Sequence, residues 1–445
     1  MKYQQQIGVL MALFMPYVLT SFGTSGTQYT DSLQDCKNLF DNFDVTMRKH
    51  YLNDPVFQNK AKPYAPAGQI DDDENTNYYE LVTCNYPGIC PDSNDAKSFC
   101  SWLRVFIVDC QEANGKTYYD IYNNGMPNHC YRSNPDSPAG TTVVSEIQTY
   151  AFVAQAFNVQ PREMFALSNK PANQLIYSVF DTQTAVNNHR CQTGWAKNEE
   201  IDQNIRENYA ELKVQFPVDQ GDVIAWDDQE VNQSAFPLVK LLSSDDVVGV
   251  ALNGVLIFSG TTHLGYDVFF PQAYGSKADP QGYSFDICLG TQVTSRTYRY
   301  HSYSPCVYDI ALRKTSMLCQ RHDSCKKNVT QHALENTPTL AKGIQPIGIA
   351  KDGRIIYGPY KTGEELWGPC DVDICNGRKF GDNYGYVATM FHPYTVACWG
   401  PGNEIGFVAQ CSSNTKKCAT FANSALFNYS VSLFGLIAAM FYQLL

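Results

Sequence analysis

Residues 249–260 read GVALNGVLIFSG, and residues 348–359 read GIAKDGRIIYGP. Each copy is an apolar run, an Asn253–Gly254 or Asp352–Gly353 pair, and a second apolar run. Such pairs supply the positive φ that a type I′ turn needs at both central residues, so each copy predicts a tight β-hairpin. The correspondence continues downstream. FDICLGTQVTSRTYRYHSYSPC (285–306) and VDICNGRKFGDNYGYVATMFHPYTVAC (372–398) both run D-I-C-x-G, a polar turn, a Y-x-Y strand, a proline and a closing cysteine. The matched pairs are Asp286/Asp373, Cys288/Cys375, Gly290/Gly377, Tyr298/Tyr384, Tyr300/Tyr386 and Cys306/Cys398. This predicts an internal duplication: two related β units, about 245–306 and 344–398, that bury one shared face. Within each unit the two cysteines are expected to bond to each other, Cys288–Cys306 and Cys375–Cys398, each link stabilising by roughly 3 kcal/mol.

The chain has 16 cysteines, and its two ends explain them. MKYQQQIGVLMALFMPYVLTSFG places Lys2 before an apolar run from Ile7 to Leu19, then Ser21 and Gly23. Residues 1–23 read as a secretory signal peptide, which leads to an oxidising compartment where cysteines pair. VSLFGLIAAMFYQLL runs uncharged to the last residue, after the small residues Asn423, Ser424 and Ala425. Residues 424–445 therefore read as a glycolipid (GPI) anchor signal, behind a linker at 406–423 and with attachment at Asn423 or Ser424. A single C-terminal membrane helix is the alternative. Either places the protein on the outer face of the plasma membrane. Sequons at Asn232 and Asn328 are expected to carry glycans. The net charge of −11 and the absence of any basic tract argue against nucleic-acid binding.

Residues 24–116 read as a small Cys-rich helical region. Leu33, Cys36, Leu39, Phe40 and Phe43 fall at helical spacing, and so do Phe99, Trp102, Leu103, Phe106 and Cys110, with Ser93 or Asp95 as a cap. Cys36, Cys84, Cys90, Cys100 and Cys110 would staple this region, with the pairing left open. The acidic run DDDE at 71–74 reads as a solvated loop, and 198–213 as a short helix or charged insertion. From Thr117 to about residue 405 the chain turns aromatic and β-branched, as in KTYYDIY and NQLIYSVF. The 29 tyrosines suit half-buried strands and also ligand-facing surfaces. The expected fold is thus mainly β, internally duplicated and disulfide-stabilised. No GxGxxG, Walker, HExxH or GxSxG motif is present, so no enzyme class is indicated.

Tyr298–Arg299–Tyr300–His301, after D-x-C-x-G and before P-C, resembles the tetrad of the YHYH domain family. IYNNGMPNHC (121–130) is similar to that family's early Asn-Gly-x-Pro-Asn-His motif, and residues 348–378 are similar to its second half. The resemblance covers about residues 117–400. It implies a mostly β, secreted or surface-associated protein, and the family's histidines invite a metal. This chain departs from the pattern. Arg299 stands where the first histidine would be, and Tyr384–Gly385–Tyr386–Val387 has lost both. An H-x-H strand would turn two imidazoles to one face for Zn, Cu or Fe. Here Arg299 would repel a cation beside His301, and only His129 and His301 remain as metal candidates, provided the fold brings them together.

The pocket candidates are Asn128, Asn253, Asp286, Tyr298, Arg299, Tyr300, Asp352, Tyr357, Asp373, Tyr384 and Tyr386. His263 and His392 read as packing residues or as lining the same cleft. Cys319 and Cys325, flanking His322, read as a disulfide loop rather than a metal knuckle. Three functions are compatible with these features. They are a lipid-anchored, non-catalytic surface protein with a structural or ligand-binding role, a transition-metal protein or metal-dependent enzyme using His129 and His301, and a carbohydrate-binding module. The partners expected are the membrane and a glycan or surface protein. Non-reducing peptide mapping is expected to pair Cys288 with Cys306 and Cys375 with Cys398, and a different partner for either overturns the two-unit reading.

Overall fold

The computed structural model describes residues 32–46, 80–84, 100–104, 106–113, 115–123, 127–131, 151–153, 155–159, 180–191, 223–225, 247–291, 298–314, 317–350, 352–381, 383–404 and 406–418. The expected signal peptide, the 71–74 acidic run, Cys90, the 198–213 segment, Asn232 and the expected anchor residues Asn423 and Ser424 lie outside them. The early strands are β1 (Glu80–Cys84), β2 (Cys100–Arg104), β3 (Phe106–Ala113), β4 (Lys116–Asn123), β5 (Ala151–Val153), β6 (Gln155–Val159) and β7 (Val223–Ala225). Then come β8 (Val247–Ala251), β9 (Leu256–Phe258), β10 (Gly290–Thr291), β11 (Arg299–Tyr300) and β12 (Pro346–Ala350). The last are β13 (Ile355–Tyr357), β14 (Tyr360–Thr362), β15 (Glu365–Leu366), β16 (Gly377–Phe380) and β17 (Asn383–Val387). Among the described residues strand outweighs helix, as the sequence predicts.

Eight strands form one mixed sheet in the order β10-β11-β9-β8-β12-β13-β17-β16. Its middle is the antiparallel pair β8–β12, with Val250 opposite Ile349. On each side the same pairings follow outward. A hairpin (β8–β9, β12–β13) leads to a parallel pair (β9–β11, β13–β17), then to an antiparallel edge (β11–β10, β17–β16). All residues of β8 and β12 are buried, which is why VVGVA and PIGIA read as continuous apolar runs rather than alternating ones. Gly249 and Gly348 sit in the seam. A Cβ on Gly348 would fall on the carbonyl oxygen of Val250, and one on Gly249 on that of Ile349.

The two hairpin turns correct the type I′ expectation. Only the glycine of each pair has positive φ, 82° at Gly254 and 86° at Gly353. Gly254 N–H donates to Ala251 C=O and Ala251 N–H to Val255 C=O, and Gly353 and Ala350 repeat the pattern with Ala350 and Arg354. Each loop therefore has three residues and closes on a left-handed glycine, the next commonest hairpin form. Asn253 and Asp352 keep ordinary φ and turn their side chains inward.

The N-terminal region is only partly helical. Leu33–Phe40 is a helix, capped by Ser32 and burying Cys36, Leu39 and Phe40. The second expected helix is instead strands β2 and β3. Among the side chains described there, Arg104, Phe106, Val108 and Cys110 are buried, which is the spacing of one face of a strand. β3 pairs with β4 along its whole length, Phe106 opposite Asn123 and Ala113 opposite Lys116, so this hairpin crosses the boundary expected at 116. Cys36–Cys110 ties the helix to β3. The region packs on the first central turn: Asp44 N–H donates to Leu252 C=O at 2.8 Å, and Phe106 lies against Gly254.

Further disulfides among the described residues are Cys191–Cys411, Cys288–Cys306, Cys319–Cys325, Cys370–Cys418 and Cys375–Cys398, and Cys130 is also disulfide-bonded. This density fits an extracellular or secreted protein. Among the described residues no helix is long and apolar enough to cross a membrane. The seam glycines yield a sharp expectation. Gly348→Ala should cost about 3 kcal/mol, because the obstacle is backbone. Gly343→Ala, with nothing within 4 Å of its Cβ, should stay within about 0.5 kcal/mol. Urea unfolding of both variants checks this, and equal losses would show that the seam tolerates a methyl group.

Candidate functional site

The D-I-C-x-G loops are built identically. Asp286 Oδ1 accepts the amides of Cys288 and Gly290 at 2.9 and 3.0 Å, and Asp373 Oδ1 accepts those of Cys375 and Gly377 at the same distances. The x residue is left-handed in both, Leu289 at φ 59° and Asn376 at 62°. Asparagine tolerates that region, whereas leucine is strained there by roughly 1–2 kcal/mol. The first tyrosine of each Y-x-Y strand reaches the other carboxylate oxygen. Tyr298 Oη lies 2.9 Å from Asp286 Oδ2, and Tyr384 Oη 2.7 Å from Asp373 Oδ2. A Cβ on Gly290 or Gly377 would collide with that tyrosine, so the loop glycine makes room for the ring. The second tyrosine reaches the hairpin residue: Asn253 Nδ2 donates to Tyr300 Oη at 3.0 Å, and Tyr386 donates to Asp352 Oδ2 at 2.7 Å.

The halves differ in charge. In the second, Asp352 forms a fully buried ion pair with Arg354, 3.2 Å apart. In the first, the corresponding residues are Asn253 and Val255, both neutral. The first half instead receives His129. Its Nδ1–H donates to Asn128 Oδ1 at 2.8 Å, and its Nε2 lies 3.0 Å from Tyr298 Oη. Asn128 is oriented by donating to Asp44 Oδ2 at 2.6 Å, and Asp44 pairs with Arg313. Tyr298 thus stands between Asp286 and His129 with one hydroxyl proton, so a second proton sits on one of the two. Burial pushes Asp286 up to about 7, against the pull of its amide and tyrosine donors. Burial, then Arg313 and Arg104, push His129 well down. Both shifts favour the neutral forms of Asp286 and His129.

Strand alternation divides the tetrad. Tyr298 and Tyr300 face His129, while Arg299 and His301 point to the other side of the sheet. There the Arg299 guanidinium lies 4.7 Å from the Phe258 ring centroid, and His301 packs edge-on against Tyr283 and Phe285. His301 Nδ1–H donates to Ser259 C=O at 2.5 Å, and Arg299 Nε–H donates to His301 Nε2 at 3.1 Å. His129 and His301 are therefore not brought together, which corrects the shared metal site. The reason is the period of two: the residues at 298 and 301 cannot share a face. Both nitrogens of each ring are already hydrogen-bonded.

Of the other candidates, Tyr357 packs on Phe380, centroids 4.4 Å apart. His263 stacks on Tyr283 and bonds its hydroxyl at 2.8 Å. His392 is buried, with Nε2 2.9 Å from Thr261 Oγ1. Asn328 is exposed and caps the helix Val329–Glu335, its Oδ1 accepting the amides of Thr330 and Gln331. Sequence reading missed a fourth tyrosine–carboxylate contact: Tyr394 bonds the buried Asp267, which also accepts from Ser412 and from the amides of Phe269 and Phe270. It also missed Arg190, which donates to Ile374 C=O at 3.0 Å beside the Asp373 loop. Asp267 and Tyr394 are 127 positions apart and repeat nothing, so no pattern announces them. No protein-family model, curated protein or solved structure matches the chain.

The buried histidines set a pH dependence. Burial first, then Arg299, hold His301 down to about 3, and burial, then Arg190, do the same to His392. The folded protein leaves these rings neutral, whereas the unfolded chain protonates them below pH 6.5. Their contribution is therefore complete above that value and is lost as pH falls toward 3. His301→Gln should flatten the acid limb of stability by up to one proton, about 1.4 kcal/mol per pH unit. Urea midpoints between pH 7 and pH 4 measure it, and an unchanged slope would mean that the ring is charged in the fold.

Proposed function

We propose that the chain is a disulfide-stapled cell-surface protein with a structural or ligand-binding role, and that it performs no catalysis through its tyrosine–histidine motifs. The observation that carries this reading is the use of their polar atoms. Tyr298 and Tyr386 spend their hydroxyls on the buried Asp286 and Asp352, Tyr384 spends its own on the part-buried Asp373, Tyr300 bonds Asn253, and His129 and His301 have both ring nitrogens bonded internally. Buried groups satisfied in this way rigidify a core and fix one arrangement of it. They present no nucleophile or metal ligand to a substrate. The matched loops, tyrosines and disulfides on both sides of β8–β12 support a duplicated core, related to the YHYH domain family with its tetrads eroded. The apolar C-terminal run supports a lipid anchor, and the exposed Asn328 sequon supports a glycan.

Expression of the full chain in a eukaryotic secretory host tests the reading. Phosphatidylinositol-specific phospholipase C should release the protein from intact cells. The released, oxidised protein should carry no stoichiometric Cu, Zn or Fe. Tyr298→Phe and Tyr384→Phe should each destabilise it by about 1.5–3 kcal/mol, as expected for bonds to buried acidic groups. Retention on treated cells overturns the lipid anchor. A bound metal, or unchanged stability in both variants, overturns the fastening role.

A further inference from the structure

The asymmetry between the two halves has a chemical consequence. Both contain a D-I-C-x-G loop closed by a disulfide, but among the described residues only the first gathers an imidazole nitrogen close to both sulfurs. A ring nitrogen of His129 and the sulfurs of Cys288 and Cys306 all lie within 4.8 Å of one another, and all three residues are buried. Nδ1–H is committed to Asn128 Oδ1, so Nε2 carries the lone pair. A ring held by a carbonyl oxygen on its far nitrogen is the arrangement found around metal-ligating histidines. The Cys288 amide is likewise fixed, by Asp286.

We propose that reduction of the Cys288–Cys306 disulfide converts this corner into a binding site for a thiolate-seeking cation such as Zn(II) or Cu(I), with His129, Cys288 and Cys306 as ligands. Two thiolates and one imidazole are the donor set that such ions select. Ligand atoms around a tetrahedral ion stand about 3.5–3.8 Å apart. The sulfurs, bonded at 2.02 Å, must separate to that distance, and the imidazole closes on them. Nε2 gives up its contact with Tyr298, whose hydroxyl keeps Asp286 as a partner. Tyr298 Oη, 3.0 Å from Nε2, is an oxygen donor for the fourth position. The balance is simple. A phosphine supplies two electrons to the disulfide and leaves as phosphine oxide with oxygen from water. Two thiols form, and metal binding releases their two protons. Cys375–Cys398 occupies the matching place in the other half, where among the described residues no such cluster of a histidine nitrogen with both sulfurs is found, so the molecule contains its own control.

The experiment uses the full chain under anaerobic phosphine titration, with alkylation and peptide mass spectrometry to identify the opened pairs and Co(II) as probe. The expected result is one Co(II) per chain, with a thiolate-to-cobalt charge-transfer band that appears as Cys288–Cys306 opens and yields to Zn(II). His129→Ala should lower Co(II) affinity at least tenfold, and a Cys288→Ser, Cys306→Ser double variant should lose the band. Opening Cys375–Cys398 alone should give no band. The proposal is overturned by an opened Cys288–Cys306 pair in a folded chain without the band. It is equally overturned by a band indifferent to His129→Ala, or by circular dichroism showing that this pair opens only when the chain unfolds.

Discussion

A buried carboxylate that gathers two backbone amides and a tyrosine hydroxyl holds each outer half of the sheet together. Asp286 and Asp373 hold their two loop amides at matching distances, and Asp373 takes a third from Gly402 at 2.8 Å. The contact couples three levels of structure. The amides shape the D-I-C-x-G loop, the loop places a cysteine for its disulfide, and the hydroxyl fixes the Y-x-Y strand in the sheet. An unpartnered buried carboxylate would be costly, so every donor around it is constrained at once. The loop glycine is bound into the same unit, because any Cβ there would displace the tyrosine.

The halves show how one scaffold takes different electrostatics. At the hairpin turn, Asn253 and Val255 in one half stand where the other has Asp352 and Arg354. An aspartate buried there needs a cation, and Arg354 supplies it at 3.2 Å. An asparagine needs none, and Val255 completes an apolar wall. The first half also admits His129 beside Tyr298, so that hydrogen bonds link Asp286, Tyr298 and His129 where the second half has its ion pair nearby. Buried charge is paired or removed in each case, by different residues.

Much of this framework was legible in the chain. The repeated phrase located β8–β9 and β12–β13, because apolar runs around Asn-Gly and Asp-Gly report a hairpin whatever the rest of the protein does. The turn type was not legible, since it depends on whether Asn253 and Asp352 turn inward to meet Tyr300 and Tyr386. The helix expected over residues 93–110 failed for a related reason. Phe99, Trp102, Leu103 and Phe106 satisfy a helical spacing, but pairing with β4 outweighs local periodicity once Phe106 and Val108 have a sheet to join.

The candidate site divides along the same line. The sequence by itself determined which residues correspond between the halves, Asp286 with Asp373 and Tyr298 with Tyr384, because a repeat is a one-dimensional signal. Only the tertiary structure decided what those residues touch. It turned His301 to the opposite side of the sheet from His129, because side chains alternate along a strand. It brought His129 to Tyr298 from 169 positions away and Tyr394 to Asp267 from 127. Contacts of that span are set by how the sheet and its loops pack, and no local pattern in the chain encodes them.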